Sequence, residues 1–266
     1  MRVSAVPNSP SISEILAVTQ TGDDEFVSQY LAPSVRSLNG GQMAGQALNA
    51  AFATVGEQLH ANAVHVFFLN AGDPLAPVEF TIERERDSRA FSTRQVLAHQ
   101  GARRIARVGI SFHVPEGGQD VQIPSRPQTT EPLECAKAEG AHIAGFEIRI
   151  PVQVKDDYLY APRLWARPTV PLGDDARLNI CALLYLSDLH SGIPMLTDLK
   201  DEDFHTSLDH AIWFHRVPRM DDWILMDHEG ESLADGRGWY RGRFFGHDGS
   251  LVASLGQEML IRPAKA

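Results

Sequence analysis

The stretch Asn39-Gly-Gly-Gln-Met-Ala-Gly-Gln-Ala-Leu-Asn-Ala-Ala-Phe-Ala-Thr-Val55 decides how this chain folds. Its apolar residues recur at helical spacing and predict a helix that opens at Asn39 and runs through Val55. Because apolar residues surround most of this helix, it must be buried on most sides. Six small residues allow a curved sheet to approach it closely: Ala44, Gly45, Ala47, Ala50, Ala51 and Ala53.

Strands are predicted on both sides of this helix. The alternation Val78-Glu-Phe-Thr-Ile-Glu83 gives one buried and one wet face, as in a half-buried strand. One strand is predicted before the helix and four after it: Glu25 to Leu31, then Val64 to Leu69, Val78 to Arg86, Phe91 to His99 and Arg104 to Val114. This order predicts an antiparallel sheet wrapped around a central helix.

Between Pro115 and Pro151 the chain loses periodicity and gathers proline and glycine, which is typical of a linker that crosses a surface. After it, the same order of elements returns. The predicted elements are strands at Phe146 to Val152 and Arg163 to Ala166, a helix at Asn179 to Leu189, and strands at Leu208 to Arg216, Trp223 to Glu229, Gly238 to Gly246 and Leu251 to Arg262.

Short matches between the halves support an internal duplication. Val66-Phe-Phe-Leu69 matches Ile212-Trp-Phe-His215, Arg89-Ala-Phe91 matches Arg237-Gly-Trp239, and His99-Gln-Gly101 matches His247-Asp-Gly249. The offsets are 146 (212 − 66) and 148 (239 − 91). The fold class predicted is α+β, a tandem double hot-dog in which each half is an antiparallel sheet wrapped around a central helix. We place an N-terminal domain at 1–118, a linker at 119–145 and a C-terminal domain at 146–266.

Composition narrows the classes of function. The chain has 266 residues and a formal net charge of -10, which argues against binding nucleic acid. No apolar run approaches the ~18 residues of a membrane-spanning helix, and the N-terminus lacks the pattern of a secretory signal. The two cysteines, Cys135 and Cys181, make a disulfide framework improbable and favour a cytoplasmic location. Of the 24 basic residues, 20 are Arg, a residue suited to phosphate contacts but also common on solvated surfaces.

Three groups of residues compete as the site. A nucleophilic Cys or Ser with a His base has no Gly-x-Ser-x-Gly motif to support it. A metal site from His205, Asp209, His210 and His215 is disfavoured, because strand residues five apart face opposite sides. The third group is a polar trio, Asp188 in the apolar helix, Ser207 before the Leu208 strand and Gln257 on the final strand. A buried carboxylate needs partners, which the other two could supply while holding a water; Asp188 could equally just cap the helix.

Four stretches resemble the signatures of the acyl-CoA thioesterase II family. They are Gly40-Gly-Gln-Met-Ala-Gly-Gln-Ala-Leu48, Phe67-Phe-Leu-Asn-Ala-Gly-Asp73, Leu208-Asp-His-Ala-Ile-Trp-Phe-His-Arg216 and Gly249-Ser-Leu-Val-Ala-Ser-Leu-Gly-Gln-Glu258. The resemblance covers about Glu25 to Arg262. It implies hydrolysis of fatty acyl-CoA to free acid and CoA by a double hot-dog chain, with no cofactor or metal, that forms a homo-oligomer, a dimer or tetramer.

The resemblance also implies roles for residues. The catalytic Asp, Thr and Gln of the family correspond to Asp188, Ser207 and Gln257, with Ser in place of Thr. The implied mechanism is attack by a water that these three hold, with Asp188 as general base and no covalent intermediate. Substrate-binding candidates are the backbone N–H groups of Gly40, Gly41 and Gln42 at the helix start, which could bind the developing oxyanion or merely allow close packing.

A second departure from the family is Asn70-Ala71, where Arg-Pro is usual, which puts a phosphate-binding role there in doubt.

Two alternative functions stay open. One is a non-catalytic acyl-CoA or fatty-acid binding module, and the other is a hot-dog hydratase, which needs a His and a carboxylate on the helix; only Asp188 and His190 stand near it. The first half lacks a polar trio at the repeat offset, so we expect one active site per chain.

Overall fold

The structure is a computed structural model of the chain. It describes residues 10–31, 37–138, 143–151, 154–155, 158–159, 163–189, 191–197 and 204–262. Within these residues no helix is both long and apolar enough to cross a membrane.

The first half has a 13-residue helix against long antiparallel strands. Its elements are α1 (Ile12–Ile15), β1 (Val18–Gly22), β2 (Glu25–Ser28), α2 (Gly40–Phe52), β3 (His60–Phe68), β4 (Glu79–Asp87), β5 (Phe91–Gln100) and β6 (Arg103–His113). The predicted helix and four following strands are present with small shifts at their ends. The strand predicted at Glu25 to Leu31 is shorter, and α1 and β1 were missed.

The short helix α1 is specified by a capping box. Ser11 Oγ accepts from Glu14 N–H, and the Glu14 carboxylate accepts from Ser11 N–H. This helix covers α2 with the buried side chains of Ile12 and Ile15. Gln46 Nε2 of α2 donates to Ile15 O at 2.7 Å. Four residues are too few for apolar periodicity, so the sequence pattern did not show the helix.

The second half repeats the arrangement. Its elements are β7 (Ala136–Lys137), β8 (Phe146–Ile150), β9 (Val154–Lys155), β10 (Tyr158–Leu159), β11 (Arg163–Pro168), α3 (Ala176–Ser187), β12 (Phe204–Ser207), β13 (Asp209–Phe214), β14 (Ile224–Ala234), β15 (Arg237–Gly246) and β16 (Leu251–Arg262). The strand predicted to reach Val152 ends at Ile150, and residue 152 lies outside the described residues.

The two halves share one sheet. Along it the strands of the first half run β2-β4-β5-β6-β3, and those of the second run β13-β16-β15-β14-β11. The halves join where β3 pairs antiparallel with β13, with Ala211 opposite His65. The order on one side of this junction mirrors the order on the other, so the predicted tandem arrangement is present. The exact domain boundaries stay a prediction.

The central helices α2 and α3 pack directly against each other. A Cβ on Gly41 would lie 2.4 Å from Tyr185 O, and one on Gly45, one turn on, 3.2 Å from Cys181 O. Position 41 therefore needs glycine to let the backbones approach, whereas at Gly45 a small shift would make room for a methyl group. A side chain of α3 caps the C-terminal end of α2: Arg177 donates to Phe52 O at 3.1 Å and to Gly56 O at 2.5 Å.

The segment predicted as a linker lies along the second half. Gln122 donates to Gly249 O at 3.0 Å and accepts from Leu251 N–H at 2.8 Å. Trp165 Nε1 donates to Thr130 O at 3.0 Å. Two short elements interrupt the predicted linker, a 3₁₀ turn at Pro132–Glu134 and β7. The segment is thus fixed to the second half of the chain by hydrogen bonds rather than free of it.

Arg94 of β5 is an unusual part of the core, since it is only 1% exposed. It donates to Thr54 Oγ1 at 2.8 Å and Thr54 O at 3.0 Å, just beyond α2. It also donates to Arg86 O, Thr93 O and Asp87 Oδ1. This guanidinium therefore ties the end of the central helix to the sheet.

We expect Arg94→Met to lower the free energy of unfolding by about 2–4 kcal/mol, because the buried oxygens of Thr54 lose their charged donor. Urea unfolding would measure it. The matched control is Arg84→Met on β4, whose half-exposed guanidinium bonds Asp24 at 2.8 Å. That change should cost about 1 kcal/mol or less. Equal losses in the two variants would show that Arg94 does not tie the helix to the sheet.

Candidate active site

Asp188 lies at the end of α3 rather than inside it. The helix ends at Ser187, and Asp188 is its C-cap, with φ -96° and ψ 13°. The prediction of a helix continuing to Leu189 was therefore wrong by two residues. This position turns the carboxylate toward the start of α2, where Gly41 N–H donates to Asp188 Oδ2 at 3.0 Å. The side chain is 12% exposed, so it is accessible and also largely desolvated.

Gln257 connects this carboxylate to the sheet. On β16 it alternates inward with Leu255 and Met259, and it is 1% exposed. Its Nε2 donates to Asp188 Oδ1 at 3.1 Å and to Ser207 Oγ at 2.6 Å. Both amide hydrogens are thereby used, one on the carboxylate and one on the hydroxyl.

Ser207 is the last residue of β12, the short strand that pairs with the end of β16, and it lies opposite Met259. The sequence placed it just before a strand rather than on one, because the run Phe204-His-Thr-Ser207 is short and largely exposed. The structure brings Asp188, Ser207 and Gln257 together around one amide nitrogen. Their chemical roles stay a prediction.

His210 is a fourth member that sequence analysis considered only as a metal ligand. It lies on β13, is 1% exposed, and its Nδ1 is 2.5 Å from Gln257 Oε1. Its Nε2 is 2.8 Å from Ser187 Oγ. Burial lowers the pKa of His210, against the opposing effects of Asp188 and the Gln257 hydrogen bond, which favours the neutral ring. The signal in the sequence was the inward register of β13, since His210 alternates with Ile212 and Phe214.

The other members of the suggested metal site do not converge. His215 is exposed and bonds Ser254 Oγ at 2.9 Å, on the face opposite His210. His205 is also exposed. Among the described residues, no group of three His, Cys, Asp or Glu side chains is arranged to hold a metal ion.

A cavity of about 460 Å³ opens at Asp188 and Ser207. Both halves of the chain form its wall. The first half contributes Ser37, Leu38, Asn39, Gly40, Met43, Phe68, Leu69, Asn70, Ala71, Gly72 and Ile105, and the second half contributes Asp188, Phe204, His205, Thr206, Ser207, Leu208 and Met259. The mixed wall suits a ligand with an apolar part and a polar part.

The three backbone N–H groups at the start of α2, those of Gly40, Gly41 and Gln42, have different hydrogen-bond partners. Gly41 N–H binds Asp188, and Gln42 N–H binds the helix cap Asn39 Oδ1 at 2.8 Å. Within the part of the chain that the structure describes, Gly40 N–H makes no such bond, and Gly40 lines the cavity. A Cβ there would lie 2.6 Å from Asp188 Oδ2, so glycine keeps the wall open beside the carboxylate.

Asn70 occupies the place where the family resemblance led us to expect Arg. Its Nδ2 donates to Arg104 O at 2.8 Å, which ties the loop after β3 to the start of β6.

The cysteines are remote from the trio. Cys181 is buried in α3 and Cys135 bonds Thr130 O at 3.4 Å. Burial raises the pKa of both thiols, which disfavours a thiolate nucleophile.

Known structures share this fold. Over 95% of this chain and 98% of its own, an acyl-CoA thioesterase II from Mycobacterium marinum superposes with a TM-score of 0.81 and 33% identity. A protein described as having a hot-dog fold, from Alicyclobacillus acidocaldarius, superposes with a TM-score of 0.80 at 17% identity, covering 96% of this chain and 98% of its own. The fold is therefore that of a double hot-dog protein, as the sequence predicted.

Sequence comparisons give the family. A profile described as acyl-CoA thioesterase matches residues 155–260, and one described as acyl-CoA thioesterase N-terminal domain matches residues 31–113. The acyl-CoA thioesterase 2 of Haemophilus influenzae is 30% identical over 289 residues, covering 95% of this chain and 97% of that protein. The chain belongs to the acyl-CoA thioesterase II family, a family of thioester hydrolases, and the predicted resemblance is confirmed.

We expect Gly41→Ala to impair both stability and turnover, because its Cβ would meet the Tyr185 backbone oxygen and push α2 away from Asp188. Overpacking of this kind costs about 1–3 kcal/mol. The matched control is Gly45→Ala on the same face, where the nearest atom is the movable end of Leu16. Thermal unfolding and steady-state thioesterase rates would measure both variants. If Gly45→Ala were the more damaging, the helix contact would not depend on Gly41.

Proposed function

We propose that this chain hydrolyses acyl-CoA by direct attack of a water at the trio Asp188, Ser207 and Gln257, in which Asp188 and Ser207 bind the water and Gln257 orients both of them. One observation carries the proposal: a single amide nitrogen, Gln257 Nε2, donates to both the carboxylate and the hydroxyl at the wall of the cavity. The amide hydrogens bind lone pairs of both groups. The Ser207 hydroxyl hydrogen is left to donate into the cavity.

Asp188 is suited to act as the general base. Oδ1 accepts from Gln257 and Oδ2 from Gly41, so the carboxylate is held by two donors and keeps further lone pairs for a water proton. A water that accepts from Ser207 and donates to Asp188 keeps one lone pair for the carbonyl carbon. General-base catalysis of this kind contributes about 10²–10⁴-fold.

The carbonyl oxygen becomes negative as the water oxygen bonds to the carbon, and it needs a donor aimed at it. Gly40 N–H is our candidate, since Gly41 and Gln42 already use theirs. The carbon–sulfur bond then breaks, the carbon keeps the new hydroxyl as a carboxylic acid, and the proton held by Asp188 goes to the departing thiolate. The products are a free acid and the CoA thiol, and Asp188 returns to its carboxylate form.

Two features support direct attack over a covalent intermediate. The cysteines are buried away from the cavity, and burial holds the pKa of each thiol above its usual value. Ser207 Oγ accepts from Gln257, while the nitrogens of His210 bond Gln257 and Ser187 instead. Among the described residues, no histidine nitrogen hydrogen-bonds Ser207 Oγ, as the base that activates a serine nucleophile would.

We propose one active site per chain. Strand register makes Ala61 the counterpart of Ser207, because Ala61 pairs with Phe112 as Ser207 pairs with Met259. The counterpart of Gln257 is Ile110, and that of the C-cap Asp188 is Ala53, the C-cap of α2. The strand counterparts keep offsets of 146 (207 − 61) and 147 (257 − 110), close to those of the repeated motifs, whereas the two helix C-caps are offset by 135 (188 − 53). All three counterparts are apolar, so the first half supplies cavity wall and backbone donors.

A non-catalytic binding module would keep the cavity without needing the trio. A hydratase would need a His and a carboxylate on the helix, and His190 lies outside the described residues. Release of free thiol from acyl-CoA by the purified protein separates hydrolysis from both.

The expected cytoplasmic location and homo-oligomer stay predictions, and sedimentation equilibrium of the purified chain would test the latter.

We expect Asp188→Asn to lower kcat by at least about a hundredfold, because an amide of the same size cannot take a proton from water. The measurement is thiol release under saturating acyl-CoA, with circular dichroism as a check on folding. The matched control is Cys181→Ser on the same helix, which should leave kcat near the wild-type value. Half the activity remaining in Asp188→Asn would indicate a second site in each chain and contradict the assignment of one.

Ser207→Thr should retain most activity, whereas Ser207→Ala should lose about ten- to a hundredfold in kcat, since one positioning hydrogen bond is worth ~1–3 kcal/mol. The pair differs in the presence of a hydroxyl at one position, and steady-state kinetics compares them directly. Wild-type turnover in Ser207→Ala would remove this residue from the mechanism.

A further inference from the structure

The orientation of the Gln257 amide decides whether the proposed site works. Reversing it would put Oε1 at the place of Nε2, facing the Asp188 carboxylate, and would remove the donor from Asp188 Oδ1. Nothing in an amide itself selects one orientation, since its two ends have nearly the same shape. The selection has to come from the group that contacts the other end.

That group is His210. Its Nδ1 is 2.5 Å from Gln257 Oε1 and 3.8 Å from Asp188 Oδ1. An amide oxygen only accepts, so Nδ1 must carry a hydrogen in the observed orientation. In the neutral ring Nε2 is then bare and accepts from the Ser187 hydroxyl, 2.8 Å away. Because a hydroxyl has one hydrogen, Ser187 then gives up its donation to Leu184 O, which is also 2.8 Å away.

The reverse arrangement is also self-consistent at these atoms. With hydrogen on Nε2, His210 would donate to Ser187 Oγ, and Ser187 would donate to Leu184 O, also at 2.8 Å. Bare Nδ1 would then accept from the reversed amide. The ring tautomer and the amide orientation are therefore set together, and only one of the two combinations gives Asp188 Oδ1 the Gln257 donor; Oδ2 keeps Gly41 N–H in both.

We propose that His210, held by Ser187, is a positioning residue that keeps the Gln257 amide directed at Asp188 and Ser207. It does so with hydrogen on Nδ1, and it acts on the reaction only through Gln257. The proposal rests on the proposed function of the trio. It also explains why a histidine occupies an inward position of β13 whose counterpart on β3 is Val64.

The tests use two replacements of His210. Asn places an amide N–H where Nδ1 stands, so His210→Asn retains the donor, while His210→Leu removes it. We expect His210→Leu to lower kcat about tenfold or more with little change in KM, as one lost hydrogen bond predicts. His210→Asn should recover most of kcat. Equal losses in Asn and Leu would overturn the positioning role.

A double-mutant cycle tests whether His210 acts through Gln257. In a Gln257→Met background, His210→Leu should change kcat by less than about twofold, because the group it positions is gone. Effects that multiply would overturn the proposal. Circular dichroism and the thermal midpoint of each variant show whether it is folded.

Nitrogen NMR of the wild-type histidines gives a readout that does not depend on whether the Leu variant folds. The His210 ring, assigned by its absence in His210→Asn, should show a protonated Nδ1 and a bare Nε2 at neutral pH. Hydrogen on Nε2 alone would overturn the proposal. The Asp188→Asn variant distinguishes a failure of the proposed function from a failure of the inference about His210. If that variant kept its activity, the proposed function would fail; if it were inactive while His210→Leu kept wild-type kcat, only this inference would fail.

Discussion

The contact between α2 and α3 at Gly41 is the constraint on which the rest of the site depends. Because Gly41 has no side chain, the α2 backbone lies against Tyr185 O, and its own N–H reaches the carboxylate at the end of α3. That approach joins the halves at their centre, beside the pairing of β3 with β13. It also sets the distance between the first-half wall of the cavity and the second-half polar groups.

A buried polar network is stable only when its members are satisfied. Asp188, Gln257, His210 and Ser187 form such a chain, in which each donor meets an acceptor. These hydrogen bonds offset the free energy that is lost when the polar groups are removed from water. They also leave few alternative arrangements of the site.

The two halves of the duplicated chain contribute different groups to the site. The sheet order is mirrored about the β3–β13 junction, yet the positions that are polar in the second half are apolar in the first. The first half retains a glycine at the start of its helix, and the second retains a carboxylate at the end of its helix. Each is incomplete alone, and the antiparallel helix contact brings the two together.

The sequence by itself determined the class of fold, the two central helices and most of the long strands, and it singled out Asp188, Ser207 and Gln257 as one candidate site. Apolar periodicity and repeated motifs report burial and strand register, which are local properties. It missed α1 and β12, because four residues are too few to show a period. It also placed Asp188 inside its helix, since the end of a helix depends on caps and partners rather than on apolar spacing alone.

Only the tertiary structure decided how those residues meet. Gly41 and Asp188 are 147 residues apart, and Gln257 and His210 lie on different strands. Hydrogen-bond partners across such separations follow from strand order and helix packing, which no local pattern contains. For this reason His210 read as a possible metal ligand in the sequence, whereas in the fold its two nitrogens bond an amide and a hydroxyl.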